Sequence, residues 1–167
     1  MPEDNLNIDR EYLDPGWRLL DATRERLLTV HTLEEIVEIV RATARGIVSA
    51  DGACFVLREG DTCFYLDEDA ISPLWKGQRF PLTACVSGWA MIEGKTAAID
   101  DISTDARVPQ DVYRKTFVKS LIMAPVGNAA AIGAYWRERS GFSGREVALL
   151  ESLARAVDGA MRAAKAA

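Results

Sequence analysis

The sequence is poor in the residues that most enzyme sites need. It holds one histidine, His31, and three cysteines, Cys54, Cys63 and Cys85, none of them in a CxxC pair. A hydrolase triad needs a base beside its nucleophile. His31 directly precedes Thr32, with no thiol or serine next to it, so a structural or exposed histidine is expected. The odd cysteine count and the lack of Cys/His clustering argue against a disulfide framework and a zinc site, and fit reduced thiols in a cytoplasmic setting. No glycine-rich stretch has the form of a phosphate cradle. No carboxylate pair has a context that marks acid–base catalysis, and Asp100-Asp101 is expected to end a strand. There is no basic block and the net charge is −5, which disfavours nucleic acid as a partner. No apolar run approaches the roughly 20 residues of a membrane span, and the acidic start MPEDNLNIDREYLD does not resemble a signal peptide.

What is present suits a soluble core. Of 167 residues, 49% are apolar and 27% charged, a length and balance expected of about one domain. Residues 1–13 are expected to be a mobile lead-in, and residues 14–167 a single domain. Asp14-Pro15 offers a capping side chain and a proline at the first helical position, predicting a helix to about Leu28. Thr32-Leu33-Glu34-Glu35 is a capping box. Behind it Leu33, Ile36, Val37, Val40, Ala44, Ile47 and Val48 share one face, predicting a helix over 33–49. The period then shortens. Residues 53–58 and 62–67 predict a hairpin around Glu59-Gly60-Asp61. A short strand is expected within 78–82. The stretch PLTACVSGWAM (81–91) predicts a short helix, about 84–92, capped at Thr83 and stopped by Gly94. Residues 96–100 predict a strand, and 109–115 a short helix in a mixed region. A second hairpin, 119–126 with 130–137, turns at Gly127-Asn128.

A second capping box, Ser143 to Glu146, opens a last helix over 144–164, with Phe142 and Val147 placed as a hydrophobic staple. Val147, Leu150, Ala154, Val157, Met161 and Ala164 repeat with alternating spacings, and Leu149, Leu153, Ala156 and Ala160 widen the arc beyond one face. One edge can pack on a sheet and the other on a partner helix. The order of elements is that of an α+β fold, an antiparallel sheet with helices on one face.

Four pieces of the chain resemble a GAF domain, the small-molecule sensor module of many bacterial signalling proteins. They are TLEEIVEIVRATARGIVSADGACFVL, PLTACVSGWAMIEGKTAAIDDISTDARVP, SLIMAPV with IGAYWR, and FSGREVALLESLARAV. The resemblance spans roughly residues 20–164 and is similar to GAF domains attached to proteobacterial histidine kinases. It implies a central antiparallel sheet of five or six strands. N- and C-terminal helices would cover one face, and loops and short helices would enclose a pocket on the other. Candidate ligand-binding residues are Cys63, Tyr65, Trp75, Phe80, Cys85, Trp89, Asp101, Tyr113, Phe117, Met123 and Tyr135. Each alternatively serves as ordinary core; the aromatics offer stacking area with polar ends, and Asp101 would orient a donor group.

The enzymatic branch of that family, the free methionine sulfoxide reductases, works through several pocket cysteines, because the chemistry passes through a sulfenic acid and a disulfide. Its pattern has a cysteine where Ser87 stands before Gly88, and another in the crossing loop, which here has none. Bilin attachment typically uses a Cys-His pair, and cyclic-nucleotide domains often carry an Asn-Lys pair; neither occurs. Haem would need an axial ligand such as Cys85 or Met91, and no spacing calls for one. The expectation is therefore a non-catalytic cytoplasmic sensor in a two-component-like setting. It would bind a small molecule of unknown identity and signal to a homodimer partner or histidine kinase through its terminal helices, with no cofactor assigned. A redox or sulfoxide-reductase domain and a purely structural dimerisation domain remain alternatives.

Overall fold

The computed structural model of the chain describes residues 13–166. The expectations for residues 1–12 and for Ala167 lie outside the described residues. Helix α1 spans Pro15–Leu27, with Asp14 as its cap: one carboxylate oxygen accepts from the Gly16 N–H at 2.8 Å and from Trp17 at 3.3 Å. Helix α2 spans Leu33–Val48 and ends at Ser49, which is left-handed at φ 52°. The capping box forms: Thr32 Oγ1 accepts from the Glu35 N–H and donates to Glu35 Oε1, which also accepts from the His31 N–H.

Six strands follow: β1 (Gly52–Glu59), β2 (Thr62–Ala70), β3 (Arg79–Pro81), β4 (Ala97–Ile99), β5 (Ser120–Val126) and β6 (Ala130–Trp136). They form one sheet in the order β3-β2-β1-β6-β5-β4, antiparallel throughout. β2 runs three residues further than its apolar pattern predicts. A bulge lets Phe55 face Asp67 and Val56 face Tyr65, so the acidic end DED still pairs with the buried start of β1.

Between β3 and β4 the chain makes one 3₁₀ turn, Leu82–Ala84, and then helix α3, Val86–Glu93. The expected cap at Thr83 is not used. Thr83 lies inside the 3₁₀ turn, and Cys85, with extended backbone and no capping side-chain bond, stands at the N-cap. Gly94 ends α3 in the left-handed conformation at φ 63°, as its sequence position predicts. Helix α4 is a single turn, Gln110–Tyr113, and helix α5 runs Gly144–Ala166. At its start Ser143 Oγ bonds Glu146 Oε2 at 2.7 Å.

Strand alternation divides the interior into two layers. One face sends Phe55, Ile122, Ala124, Ile132, Ala134 and Trp136 toward α1, α2 and α5, where they meet Leu20, Ile36, Val40, Ile47, Leu149, Leu150 and Leu153. The opposite face sends Cys54, Val56, Cys63, Tyr65, Leu121, Met123 and Tyr135 toward α3, the 74–82 segment and the 102–118 segment. This is the α+β sheet, with helices on one face and short elements on the other, that the resemblance implies.

Candidate functional site

The second layer carries the candidate site. Ten of the eleven candidate residues meet there: Cys63, Tyr65, Trp75, Cys85, Tyr113, Met123 and Tyr135 are buried, and Phe80, Trp89 and Phe117 pack half-buried against them. Asp101 is not among them. It caps the 3₁₀ turn Ile102–Thr104, accepting from the Ser103 N–H and hydroxyl, and pairs with Arg139 at 3.5 Å. Its carboxylate therefore holds the entry to the roof.

Trp75 is the hub of the layer. Its ring meets Tyr113 at 4.6 Å between centroids, Tyr135 at 5.4 Å and Tyr65 at 5.6 Å, and Tyr65 meets Phe80 edge-on at 5.4 Å. The backbone that carries Trp75 is pinned by one side chain: the Glu68 carboxylate accepts from the N–H groups of Leu74, Trp75 and Lys76 at 2.7–2.8 Å. The indole N–H reaches the Val112 carbonyl at 3.4 Å and so ties the two roof segments together. At the rim, Arg107 lies 4.4 Å above the Trp89 ring and is held by a two-point pair with Asp105, a cation–π contact worth about 0.5–1 kcal/mol at such a partly exposed place.

Tyr135 folds back along its own strand. Its hydroxyl lies 3.0 Å from Cys54 Sγ, and a Cβ on Gly133 would come within 2.7 Å of that hydroxyl and 2.9 Å of Cys54 Sγ. Gly133 thus makes room for the phenol. Below it, the Tyr65 hydroxyl bonds Ser87 Oγ at 3.1 Å, and Ser87 Oγ donates to Cys85 Sγ at 3.3 Å. α3 reaches this depth because Gly88 has no side chain: a Cβ there would fall 1.6 Å from the Leu82 carbonyl oxygen.

The thiols differ in character. Burial pushes the Cys54 thiol up to about 12. Cys85 Sγ accepts from Ser87 Oγ and lies 3.5 Å from the Pro81 carbonyl oxygen; the nearby Cys63 thiol and the Ser87 hydroxyl lower the Cys85 thiol against the effect of burial, while Cys63 is pushed up. Burial also raises Tyr65, Tyr113 and Tyr135, so all three phenols stay protonated at neutral pH. Among the described residues, the Tyr113 hydroxyl is the one buried side-chain oxygen or nitrogen with no hydrogen-bond partner.

Sequence reasoning missed Cys54, Ser87, Glu68 and Gly133. Cys54 shares the pleat phase of Val56, and Gly133 stands two residues before Tyr135, so strand parity carried a signal for both. Glu68 carried none, because its partners lie six to eight residues on in an irregular segment.

His31 is exposed. It lines a groove of about 660 Å³ between α1 and α5, with Leu27, Leu28, Val30, Ala156 and Ala160 as its apolar floor and Arg24 and Arg155 at its sides. Leu28 is 85% exposed there. No group of three or more His, Cys, Asp or Glu among the described residues is arranged to hold a metal ion. No helix among the described residues is long and apolar enough to cross a membrane.

Comparison with known proteins places the fold. Among curated proteins none matches this chain. The free methionine-R-sulfoxide reductase of Neisseria meningitidis, solved with its substrate, superposes with a TM-score of 0.76 at 15% identity, over 89% of each chain. A putative GAF sensor protein from Burkholderia vietnamiensis gives 0.76 at 15% identity, over 90% of this chain and 96% of that one. The GAF domain of an Acinetobacter phosphoenolpyruvate-protein phosphotransferase gives 0.75 at 14%, over 89% and 93%. At such identities the likeness establishes the fold alone. The profile of the GAF domain family matches residues 30–162, which takes in the sheet, both roof segments and most of α5, and the chain belongs to the GAF domain family.

Proposed function

We propose that residues 14–167 form one non-catalytic sensory domain of the cytoplasm. It binds a small molecule between the sheet and its roof and passes the bound state through α1 and α5 to a second copy or to a histidine kinase. The observation that carries this reading is the roofed aromatic layer, in which ten candidate residues share one cluster that includes the unpartnered Tyr113 hydroxyl. GAF domains are in general sensory and ligand-binding, which supports it further. The groove beside the exposed Leu28 supports the dimer part, because the apolar arc of α5 is left partly uncovered.

Native mass spectrometry of freshly purified protein tests the ligand part. A co-purified small molecule is expected, and a bare mass together with a layer that exchanges no hydrogen on addition of metabolite extract would refute it. Light scattering across a dilution series tests the dimer; a strict monomer at high concentration would refute that part.

A second reading is thiol redox chemistry, supported by the neighbouring buried thiols Cys63 and Cys85, which influence each other's ionisation, and by the fold shared with a sulfoxide reductase. Turnover of free methionine sulfoxide with a dithiol reductant, lost in Cys85→Ser, would favour it over the sensory reading.

A further inference from the structure

The layer beneath the roof restricts the chemistry of its guest. Its buried members are aliphatic, aromatic, thiol and hydroxyl groups, with no lysine, arginine, histidine or carboxylate among them. The charged groups that approach it are already engaged. Glu68 is occupied by three backbone N–H groups, and Arg107 is paired with Asp105. Cys85, at the edge, accepts from Ser87 Oγ and donates to the Pro81 carbonyl. A charged guest would lose its hydration and find no free counter-charge, an unfavourable exchange.

The ring faces are arranged for a flat guest. Tyr65, Tyr113 and Tyr135 surround Trp75 at 4.6–5.6 Å in tilted and edge-on contacts, so a ring that displaces one of them finds stacking partners on several sides.

Tyr113 supplies the polar point. It is 3% exposed, it ends helix α4, and its hydroxyl is unpartnered. It sits in the neighbourhood of Cys54, Cys85 and Tyr135. The Tyr135 hydroxyl is used on Cys54 and the Tyr65 hydroxyl on Ser87; Tyr113 alone has an unused donor. Leaving a buried donor unpaired is unfavourable, and a guest with an acceptor would relieve it.

The segment that carries Tyr113 is held to its neighbours mainly by apolar packing. Its side-chain bonds are internal to the roof: Gln110 to the Ile102 and Val108 carbonyls, Arg107 to Asp105, and Thr116 to the Tyr113 carbonyl. The long 3.4 Å bond from the Trp75 indole to Val112 and the Arg107 contact on the Trp89 ring are its polar ties to other segments.

Resting on the sensory reading above, we infer that the guest is a neutral, planar aromatic carbonyl compound, a ketone or amide in class, whose oxygen accepts from the Tyr113 hydroxyl while its ring packs against Trp75. The guest enters by tilting α4 outward, which parts the Trp75 and Tyr113 rings from their 4.6 Å contact.

The test uses four one-ring probes on the whole chain: acetophenone, ethylbenzene, benzoate and benzylammonium. Binding is read by tryptophan fluorescence and by the unfolding midpoint. Acetophenone is expected to bind at least about fivefold more tightly than ethylbenzene, the fold-change of about one hydrogen bond, and benzoate and benzylammonium much more weakly than either. In Tyr113→Phe the preference for acetophenone over ethylbenzene disappears, while the unliganded variant unfolds at the wild-type midpoint or above. The ethylbenzene comparison needs no variant and decides the matter even if that substitution unfolds the chain. Equal binding of acetophenone and ethylbenzene, or a retained preference in Tyr113→Phe, overturns the role of Tyr113. Tighter binding of benzoate or benzylammonium overturns the neutral class and leaves a ligand-binding layer standing. Silence from all four probes at saturation overturns this inference; only a bare native mass as well would carry the sensory reading down with it.

Discussion

Asp14 joins the first and last helices through Arg145, 131 residues further along the chain. Its carboxylate caps α1 through the Gly16 and Trp17 N–H groups and also receives the guanidinium of Arg145 from the first turn of α5, with Arg145 Nε at 2.6 Å from Oδ2. The pair is partly shielded, at 22% side-chain exposure for Asp14 and 35% for Arg145. The Arg145 hydrogen bond, helped by the two capping N–H groups, lowers the Asp14 pKa from 3.8 to about 2 against a smaller effect of burial. The sign follows: a carboxylate whose folded pKa is depressed stabilises the fold above its unfolded value, and that stabilisation is lost as pH falls from about 4 through about 2. Taken in full the shift is worth about 2.4 kcal/mol; solvent screening of this half-open pair reduces it to about 1–2 kcal/mol. Asp14→Ala also removes the cap, about 1 kcal/mol more, for a total of about 2–3 kcal/mol. Asp14→Asn keeps a capping oxygen and loses mainly the ion pair. At about 2–4 °C per kcal/mol for a chain of this size, the alanine variant unfolds roughly 5–10 °C lower and the asparagine variant roughly half as far. The assay is thermal unfolding by circular dichroism at pH 7 and in steps from pH 5 to 2, with Arg145→Met completing a double-mutant cycle. If Asp14→Asn loses as much stability between pH 4 and 2 as the wild type, or if the cycle gives no coupling, the pair is not what ties α1 to α5.

Gly88→Ala places a methyl 1.6 Å from the Leu82 carbonyl, so α3 cannot dock as it does; a loss above about 3 kcal/mol is expected in denaturant unfolding, and a wild-type midpoint would refute the contact. Cys85 is expected to react with iodoacetamide with a pH midpoint below the ordinary thiol value of 9.0, ahead of Cys54, which is pushed up to about 12; peptide mass mapping against pH decides, and a midpoint at or above 9 would refute the lowering of Cys85 by Cys63 and Ser87. Leu28→Glu, at the exposed edge of the α1–α5 groove, is expected to lower the self-association seen by light scattering at least tenfold without changing the unfolding midpoint of the monomer; unchanged association would move the dimer contact elsewhere.

The parts of the fold legible in the sequence are those where a local signal and the tertiary environment agree. α1, α2 and α5 announce themselves by caps and a period near 3.6, and both hairpins by alternation around a glycine turn. The cap of α3 was illegible for a physical reason. Thr83 has the right side chain, but its backbone is bent into a 3₁₀ turn because Gly88 lets the helix press on Leu82, a contact between residues that no periodicity encodes. The acidic end of β2 was hidden by its composition, since Asp67-Glu68-Asp69 lacks β-forming side chains and pairs with β1 only because the bulge keeps Tyr65 inward. In the site, the aromatics were legible as large residues that need burial. Asp101 drew attention as a charge in a loop, and the structure uses that charge for a turn and an ion pair with Arg139.

What the sensory proposal requires of the fold is a route from the roofed layer to the helices, and β6 supplies one. Tyr135 and Trp136 are neighbours on that strand and point to opposite faces. Tyr135 packs against Trp75 and bonds Cys54 in the aromatic layer. Trp136 lies in the helical layer, where its indole N–H donates to the Ser49 carbonyl at the end of α2 and its ring packs on Phe142, just before α5. A guest that displaces the Tyr135 ring therefore acts on a strand whose next residue is bonded to one helix and stacked at the root of another. The interior is close-packed on both faces, so a displacement on one side is not absorbed locally. The helix that receives it, α5, is the one whose outer edge is left uncovered beside Leu28. On the sensory proposal the sheet is the element that guest and partner would share, and β6 is the strand on which the two layers meet at adjacent residues, Tyr135 and Trp136.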